Sequence, residues 1–185
     1  LVAQVLPDSD NVHKVTIISR GNTGGVTWFL PPEDKSYTSI VEFKDILARA
    51  LGGRVAEKII YGKDHVTTGA GSDLRQATAV AKDMIMEEGM GTNLRDQVFH
   101  EDEGGIMFER VTHERPYSDD TAKQIDSEIA ALIKEASARA EAVIVKNRAS
   151  LEALAKELIK KETLDEDEVA AILKDSVMPK EAQLK

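Results

Sequence analysis

Apolar residues recur at helical spacing through two long parts of this 185-residue chain, and this periodicity limits its fold more than any other feature. Side chains that return every three or four residues form a stripe on one face of an α-helix, and that face must be buried against other elements. The stripes comprise Ile40, Phe43, Ile46, Leu47, Ala50 and Leu51, and then Ile125, Ile129, Leu132, Ala136, Ala140, Val143 and Ile144. We therefore predict a mainly α fold.

Further helices are predicted around these two. Gly52-Gly53 interrupts the first apolar run, and Val55, Ile59 and Ile60 then continue it. A helix follows near Ser72 and fails near Gly89. After the long helix that starts at Asp119, a second carries Leu151, Leu154, Leu158 and Ile159, and a short third runs from about 165 to 173 with an acidic first turn, as the helix dipole favours.

The first 30 residues have strand character instead. The β-branched run at 12–18 and the run at 26–30 are separated by a Gly-rich turn at 21–25, and they predict a β-hairpin ended by Pro31-Pro32. Residues 1–6 are typical of a helix end stopped by Pro7, and no cap precedes them. We expect that the sequence begins inside a helix and that an upstream part is absent.

Residues 90–118 show little apolar periodicity, and we interpret them as a long surface loop with a short strand near 106–108. The predicted organisation is a core over 1–117, with the hairpin or small sheet, and a C-terminal helical subdomain, a helical bundle of the same domain, over 118–185.

Composition excludes several kinds of function. The net charge of -9 argues against nucleic acid as the main partner, because such a partner needs a basic face. The chain has no cysteine, so disulfides and thiolate metal sites are excluded. No apolar run approaches the roughly 20 residues of a membrane span, and no signal segment is present. These residues are therefore expected to be soluble by themselves.

The histidines give no metal motif. The four are His13, His65, His100 and His113, and no pair has the i, i+4 spacing that places two imidazoles around zinc on one helix face. Surface or locally bonded histidines are the favoured interpretation. No Ser/His/Asp or Cys/His arrangement stands out. The turn at 21–25 lacks the Lys-Ser/Thr ending of a phosphate loop.

Two carboxylates and one strand have both a structural and a functional interpretation. Ser72 is a candidate N-cap after the Thr68-Gly69-Ala70 turn, so Asp73 either interacts with the helix dipole or serves as a metal ligand. Glu57 either pairs with a nearby cation in solvent or orients metal ligands by hydrogen bonds. The strand Val26–Phe29 is either a plain core strand or an open edge that pairs with an extended peptide.

Five segments, in order and at suitable spacing, resemble FtsH-type ATP-dependent zinc metalloproteases. The likeness runs from the first residue to about Gly91 and more loosely from Ser118 to about Leu173. Each segment alone is a weak signal, but together they are a strong one. The segments are Leu1–Pro7, Val12–Ile18, Leu51–Glu57, Thr67–Ala70 and Asp73-Leu74.

The resemblance implies a site. In the family, His-Glu-Ala-Gly-His-Ala comes directly before the segment matched by Leu1–Pro7; its histidines bind zinc and its glutamate is the catalytic base. Those residues are not in this sequence, so no catalytic base is assigned here. The family's third zinc ligand corresponds to Asp73, and Glu57 corresponds to a supporting carboxylate. Thr68, Gly69 and Ala70 correspond to the site loop, and Val26, Thr27, Trp28 and Phe29 to the strand that holds substrate.

The resemblance also implies a larger machine. In the family, a membrane anchor and a ring of six ATPase domains using ATP and Mg²⁺ precede the peptidase domain, which degrades unfolded or membrane proteins in a reducing compartment, the bacterial cytoplasm or an organelle interior. The 185 residues alone are expected to be inactive. Two alternatives stay open: a catalytically dead relative that serves ring assembly or partner binding, and a helical scaffold unrelated to proteases.

Overall fold

The computed structural model describes residues 1–19, 24–30, 37–99 and 117–184, and it confirms a mainly α fold with a small antiparallel sheet. The predicted strand at 106–108, as well as His100 and His113, lie outside these residues. In the described part, no helix combines the length and apolar character needed to cross a bilayer. The elements, in chain order, are α1 (Val2–Val5), β1 (Asn11–Thr16), β2 (Val26–Leu30), α2 (Ile40–Tyr61), α3 (Gly71–Met86), α4 (Asp119–Lys146), α5 (Arg148–Lys161), β3 (Thr163–Asp165) and α6 (Glu166–Leu173), with short 3₁₀ turns at Lys63–His65, Thr68–Ala70 and Lys180–Ala182.

Helix α2 is one continuous helix of 22 residues despite its central Gly-Gly pair. Its start is fixed by a capping box, in which the Ser39 side chain accepts from the Glu42 amide and the Glu42 side chain accepts from the Ser39 amide. The two glycines allow close approach of other elements. A Cβ on Gly52 would lie 3.2 Å from Val2 Cγ2, so helix α1 rests directly on the α2 backbone.

The main core joins helices from both ends of the chain. Leu47 of α2, Met84 of α3 and Val143 of α4 are fully buried in one apolar cluster, which also takes in Val2 and Ala182. A second cluster packs the sheet against α5 and α6 through residues such as Leu158 and Leu164. The subdomain boundary at 117/118 stays a prediction.

The sheet has the strand order β2-β1-β3, with antiparallel pairing throughout. The predicted hairpin pairing of β1 with β2 is confirmed, with an irregularity between Val12 and Lys14. Strand β3 was not predicted. It is tied to β1 by the Thr16 hydroxyl, which donates to the Glu162 carbonyl (3.1 Å) and lies 2.8 Å from the Thr163 hydroxyl. Among the described strands, β2 therefore lies at an edge of this sheet.

Candidate active-site cleft

A cleft of about 620 Å³ lies between strand β2, helix α2 and the start of helix α3. It brings the predicted ligand Asp73 together with Val26, Thr27 and Phe29 of the predicted substrate strand. The remaining lining residues are Thr16, Gly25, Ile46, Arg49, Ala50, Gly53, Ser72 and Gln76.

Asp73 is the third residue of helix α3. The 3₁₀ turn Thr68–Ala70 leads directly into this helix, so the N-cap is Ala70, which has no capping side chain. The interpretation of Ser72 as N-cap is therefore wrong by two positions, because the helix already begins at Gly71. Asp73 still lies in the first helical turn, where the helix dipole favours a negative charge.

The Asp73 carboxylate is left available for a ligand. It is half-buried, and within the described ranges it makes no hydrogen bond and no ion pair. Gly53 of α2 faces it: a Cβ on this glycine would lie 3.9 Å from Asp73 Oδ2, so a longer side chain there would crowd the carboxylate. A carboxylate that has no partner and lines a cleft can serve as an oxygen ligand for a metal ion.

Glu57, one helical turn after Gly53, differs from Asp73 because its carboxylate has hydrogen-bond and ion-pair partners. Its carboxylate accepts hydrogen bonds from the Thr67 hydroxyl and the Thr67 amide, which lower the pKa of Glu57, and nearby Arg54 lowers it further. Arg54 Nη1 lies 3.4 Å from Glu57 Oε2. The Thr67 hydroxyl in turn accepts from the Gly69 amide at 3.2 Å. Glu57 therefore anchors the turn that delivers Asp73.

Strand β2 presents alternate side chains to opposite sides. Thr27 and Phe29 line the cleft, whereas Trp28 lies on the other face, where Lys14 Nζ is 5.5 Å from the centre of its ring. Val26, at the start of the strand, also lines the cleft despite this alternation, so three of the four predicted substrate-strand residues lie there. One edge of β2 pairs with β1, and no other strand of the described sheet occupies its second edge.

The donor chemistry fits zinc in part. Zinc is bound by imidazole nitrogen and carboxylate oxygen, and catalytic sites use three protein ligands. Asp73 supplies one oxygen donor of the right type. Across residues 1–19, 24–30, 37–99 and 117–184, no three His, Asp or Glu side chains come together in a group able to hold a metal ion. His13 lies 3.9 Å from Glu166, and His65 belongs to a 3₁₀ turn; neither lines the cleft.

Sequence reasoning missed Arg49, the second charged residue of the cleft lining. Its guanidinium carbon lies 4.0 Å from the centre of the Phe29 ring, and its Nη1 donates to Asp10 Oδ2 at 2.9 Å. A signal was available, because Arg49 stands three residues after Ile46 and four before Gly53, on the same helix face.

A comparison with known proteins assigns the chain to a family. Residues 1–172 match the profile of Peptidase family M41. The chain belongs to this family. An unrelated helical scaffold is thereby excluded, and the resemblance to FtsH-type ATP-dependent zinc metalloproteases is confirmed.

Relatives from distant bacteria share the likeness. The chain is 41% identical over 177 residues to ATP-dependent zinc metalloprotease FtsH 3 of a Synechocystis species, which covers 94% of this chain and 29% of that protein. It is 40% identical over 181 residues to ATP-dependent zinc metalloprotease FtsH of Bacillus subtilis, covering 97% of this chain and 28% of the relative. The chain thus spans less than a third of the length of these relatives.

Proposed function

We propose that this chain is the peptidase domain of an ATP-dependent zinc metalloendopeptidase and that Asp73 is one of the ligands of its zinc ion. One observation carries the proposal: in the described part of the chain, the Asp73 carboxylate has no bonding partner, and it lines the same cleft as strand β2, the edge strand among those described. The names of the relatives support the metal and the ATP dependence.

In the proposed site, two histidines and a glutamate from outside these 185 residues join Asp73. Bound zinc supplies Lewis acidity, which makes a water molecule nucleophilic near neutral pH. The residues of this chain supply position. Thr67 holds Glu57, and the turn Thr68–Ala70 fixes the start of α3, so that the Asp73 carboxylate points toward Gly53 in the cleft.

Strand β2 is proposed to hold the substrate in extended form. An edge strand offers unpaired amides and carbonyls to a polypeptide, and main-chain hydrogen bonds of this kind bind without regard to sequence. Thr27 and Phe29 then face the side chains of the bound peptide. Unfolded chains suit this recognition because only an extended peptide can pair with the edge.

The remaining proposals concern the parent protein. A homo-hexameric ring that uses ATP and Mg²⁺ would unfold substrates, and a membrane anchor would hold it beside membrane proteins, with the peptidase domain in a reducing compartment. The 185 residues alone are proposed to be inactive, since Asp73 by itself cannot hold a catalytic zinc ion.

The test uses the parent protein and a matched pair of variants on helix α3. Asp73→Asn should lower the zinc content and abolish chelator-sensitive casein hydrolysis. Asp83→Asn, an exposed carboxylate three turns further along the same helix, should leave both unchanged. Zinc is measured by elemental analysis after dialysis.

Two results would contradict the proposal. Full zinc content in Asp73→Asn would remove Asp73 from the ligand set. A parent protein without zinc or hydrolysis would support the alternative of a catalytically dead relative that serves ring assembly. Casein hydrolysis by the purified 185 residues would overturn the proposed inactivity of this chain alone.

A further inference from the structure

Arg49 of helix α2 contacts both strands of the hairpin region at once. Its guanidinium carbon lies 4.0 Å from the centre of the Phe29 ring, and its Nη1 donates to Asp10 Oδ2 at 2.9 Å. The Arg49 and Asp10 side chains are each only 15% exposed, and this shielding from water strengthens the contact between a cation and a ring. These three residues, Asp10, Arg49 and Phe29, are called the clamp below.

The clamp fixes one end of the hairpin. Asp10 directly precedes β1, which begins at Asn11, and Phe29 of β2 pairs with Val12 of β1. The guanidinium of Arg49 therefore holds both strands at the end where β1 begins and β2 ends. Because the two strands are hydrogen-bonded to each other there, fixing both of them also fixes this part of β2.

Apolar packing places β2 and α2 in different clusters. The Phe29 ring packs against the cluster that the sheet forms with α5 and α6, whereas Leu47 of α2 belongs to the main core. Arg49 stands on α2 and reaches across to the ring and to Asp10. The clamp therefore links two parts of the fold that both line the cleft.

The same helix also lies beside the proposed zinc ligand. Gly53 stands four residues after Arg49, about 6 Å further along the helix axis. A Cβ on Gly53 would lie 3.9 Å from Asp73 Oδ2. Helix α2 thus contacts the proposed substrate strand at one turn and faces the proposed ligand at the next.

We propose that Arg49 is a positioning residue for peptide hydrolysis: through Phe29 and Asp10, it sets the distance between a peptide paired with β2 and a metal ion bound by Asp73. This inference rests on the proposed peptidase function and on β2 as the substrate strand. Reacting atoms must lie about 3–3.5 Å apart, and an error of about 1 Å can lower the rate roughly hundredfold. A strand released from the clamp still offers its main chain to a peptide, but it no longer holds the peptide at the required distance.

The test measures kcat and KM of the parent protein on an unstructured peptide at saturating ATP. Arg49→Ala should lower kcat by about 10- to 100-fold, because the bound peptide is misplaced relative to the metal. KM should change little, because main-chain pairing with β2 remains. The zinc content should equal that of the wild-type protein. A joint fall of kcat and kcat/KM is typical of an interaction that is used in the transition state.

Asp10 shows whether the effect passes through Arg49, because Asp10 is not among the described residues that line the cleft. Asp10→Asn removes the charge that holds the guanidinium, so it should lower kcat in the same direction to a smaller extent. In the double variant of Asp10→Asn with Arg49→Ala, kcat should be no lower than in Arg49→Ala alone, because the two residues act through one contact.

A matched control lies on the same helix. Lys44 Nζ is 3.0 Å from Glu135 Oε1, and this ion pair joins α2 to α4 instead of to the hairpin. Lys44→Ala should therefore leave kcat and KM unchanged.

The outcomes are distinct. An unchanged kcat in Arg49→Ala, or in Asp10→Asn where Arg49→Ala does not fold, overturns the positioning role and leaves the proposed peptidase intact. Losses of kcat that multiply in the double variant, an effect confined to KM, or an equal loss in Lys44→Ala also overturn this role. A parent protein without zinc and without peptidase activity overturns both proposals.

Discussion

The buried ion pair between Arg139 of α4 and Asp45 of α2 yields the sharpest stability prediction. Arg139 Nη2 lies 2.6 Å from Asp45 Oδ1, and the two side chains are 5% and 0% exposed. Asp45 Oδ2 also accepts from the Asp8 amide at 3.0 Å, and Arg139 Nε donates to the Ala182 carbonyl at 2.8 Å. Four separated segments of the chain therefore meet at one pair of charges.

Arg139→Met keeps most of the side-chain volume but leaves the Asp45 carboxylate buried without a cation. Loss of one partner of a buried pair costs about 3–5 kcal/mol, chiefly through the uncompensated charge. For a chain of this length each kcal/mol lowers Tm by about 2–4 °C, so the expected fall is about 6–20 °C. Urea denaturation followed by circular dichroism gives the free energy of unfolding.

Two comparisons make the reasoning refutable. Lys123 and Asp120 also form a pair on α4, at 3.3 Å, but they are 77% and 86% exposed, so Lys123→Met should cost less than about 1 kcal/mol. The double variant Arg139→Met with Asp45→Asn removes the unpaired charge and should be more stable than Arg139→Met alone. An Arg139→Met cost equal to that of Lys123→Met, or a double variant no more stable than the single one, would refute this account.

Two further predictions concern carboxylates that fix loops. The Thr67→Val variant loses the hydroxyl that lowers the pKa of Glu57, so a ¹³C NMR titration should show this pKa rising toward its ordinary value, and an unchanged titration would contradict the assignment. Because the Glu57 pKa is lower in the folded state, the hydrogen bond stabilises the fold above the unfolded-state pKa, and this stabilisation is lost as the pH falls through the folded-state pKa. Glu128→Ala removes the buried carboxylate that accepts hydrogen bonds from the amides of Thr92 (2.6 Å), Asn93 (2.6 Å) and Leu94 (3.2 Å). The free energy of unfolding should therefore fall by about 3 kcal/mol, and these three amides should exchange hydrogen faster. Unchanged amide exchange would count against this role of Glu128.

Local patterns predicted the elements that local energetics determine. Helices α2 to α6 follow apolar periodicity and end signals, and the pairing of β1 with β2 follows from two β-branched runs close in sequence. Strand β3 is different. It is only three residues long, and its last residue, Asp165, is already the N-cap in the capping box of α6. It becomes a strand through contacts with Thr16, almost 150 positions away. No local pattern carries that information.

Long-range contacts also decide which polar residues are structural. Glu128 lies in a helix rich in charged residues, where the sequence favours a solvated side chain, yet it is buried by the amides of a loop more than 30 residues earlier. The burial of apolar residues depends on packing in the same way. Ile159 was predicted in the apolar stripe of α5, but it is 74% exposed because only the side of α5 that carries Leu154 and Leu158 is buried.

The two candidate site carboxylates show what the structure adds to the resemblance. Asp73 and Glu57 both stand beside small residues on helices, and residue type and spacing do not separate a ligand from a support. Their contacts do. Glu57 has its bonding capacity engaged by Thr67 and Arg54, so recruiting it to a metal would release the turn before α3. Asp73, across from Gly53, has no such partner to lose in the described part of the chain, so it can bind a cation at no cost to the fold.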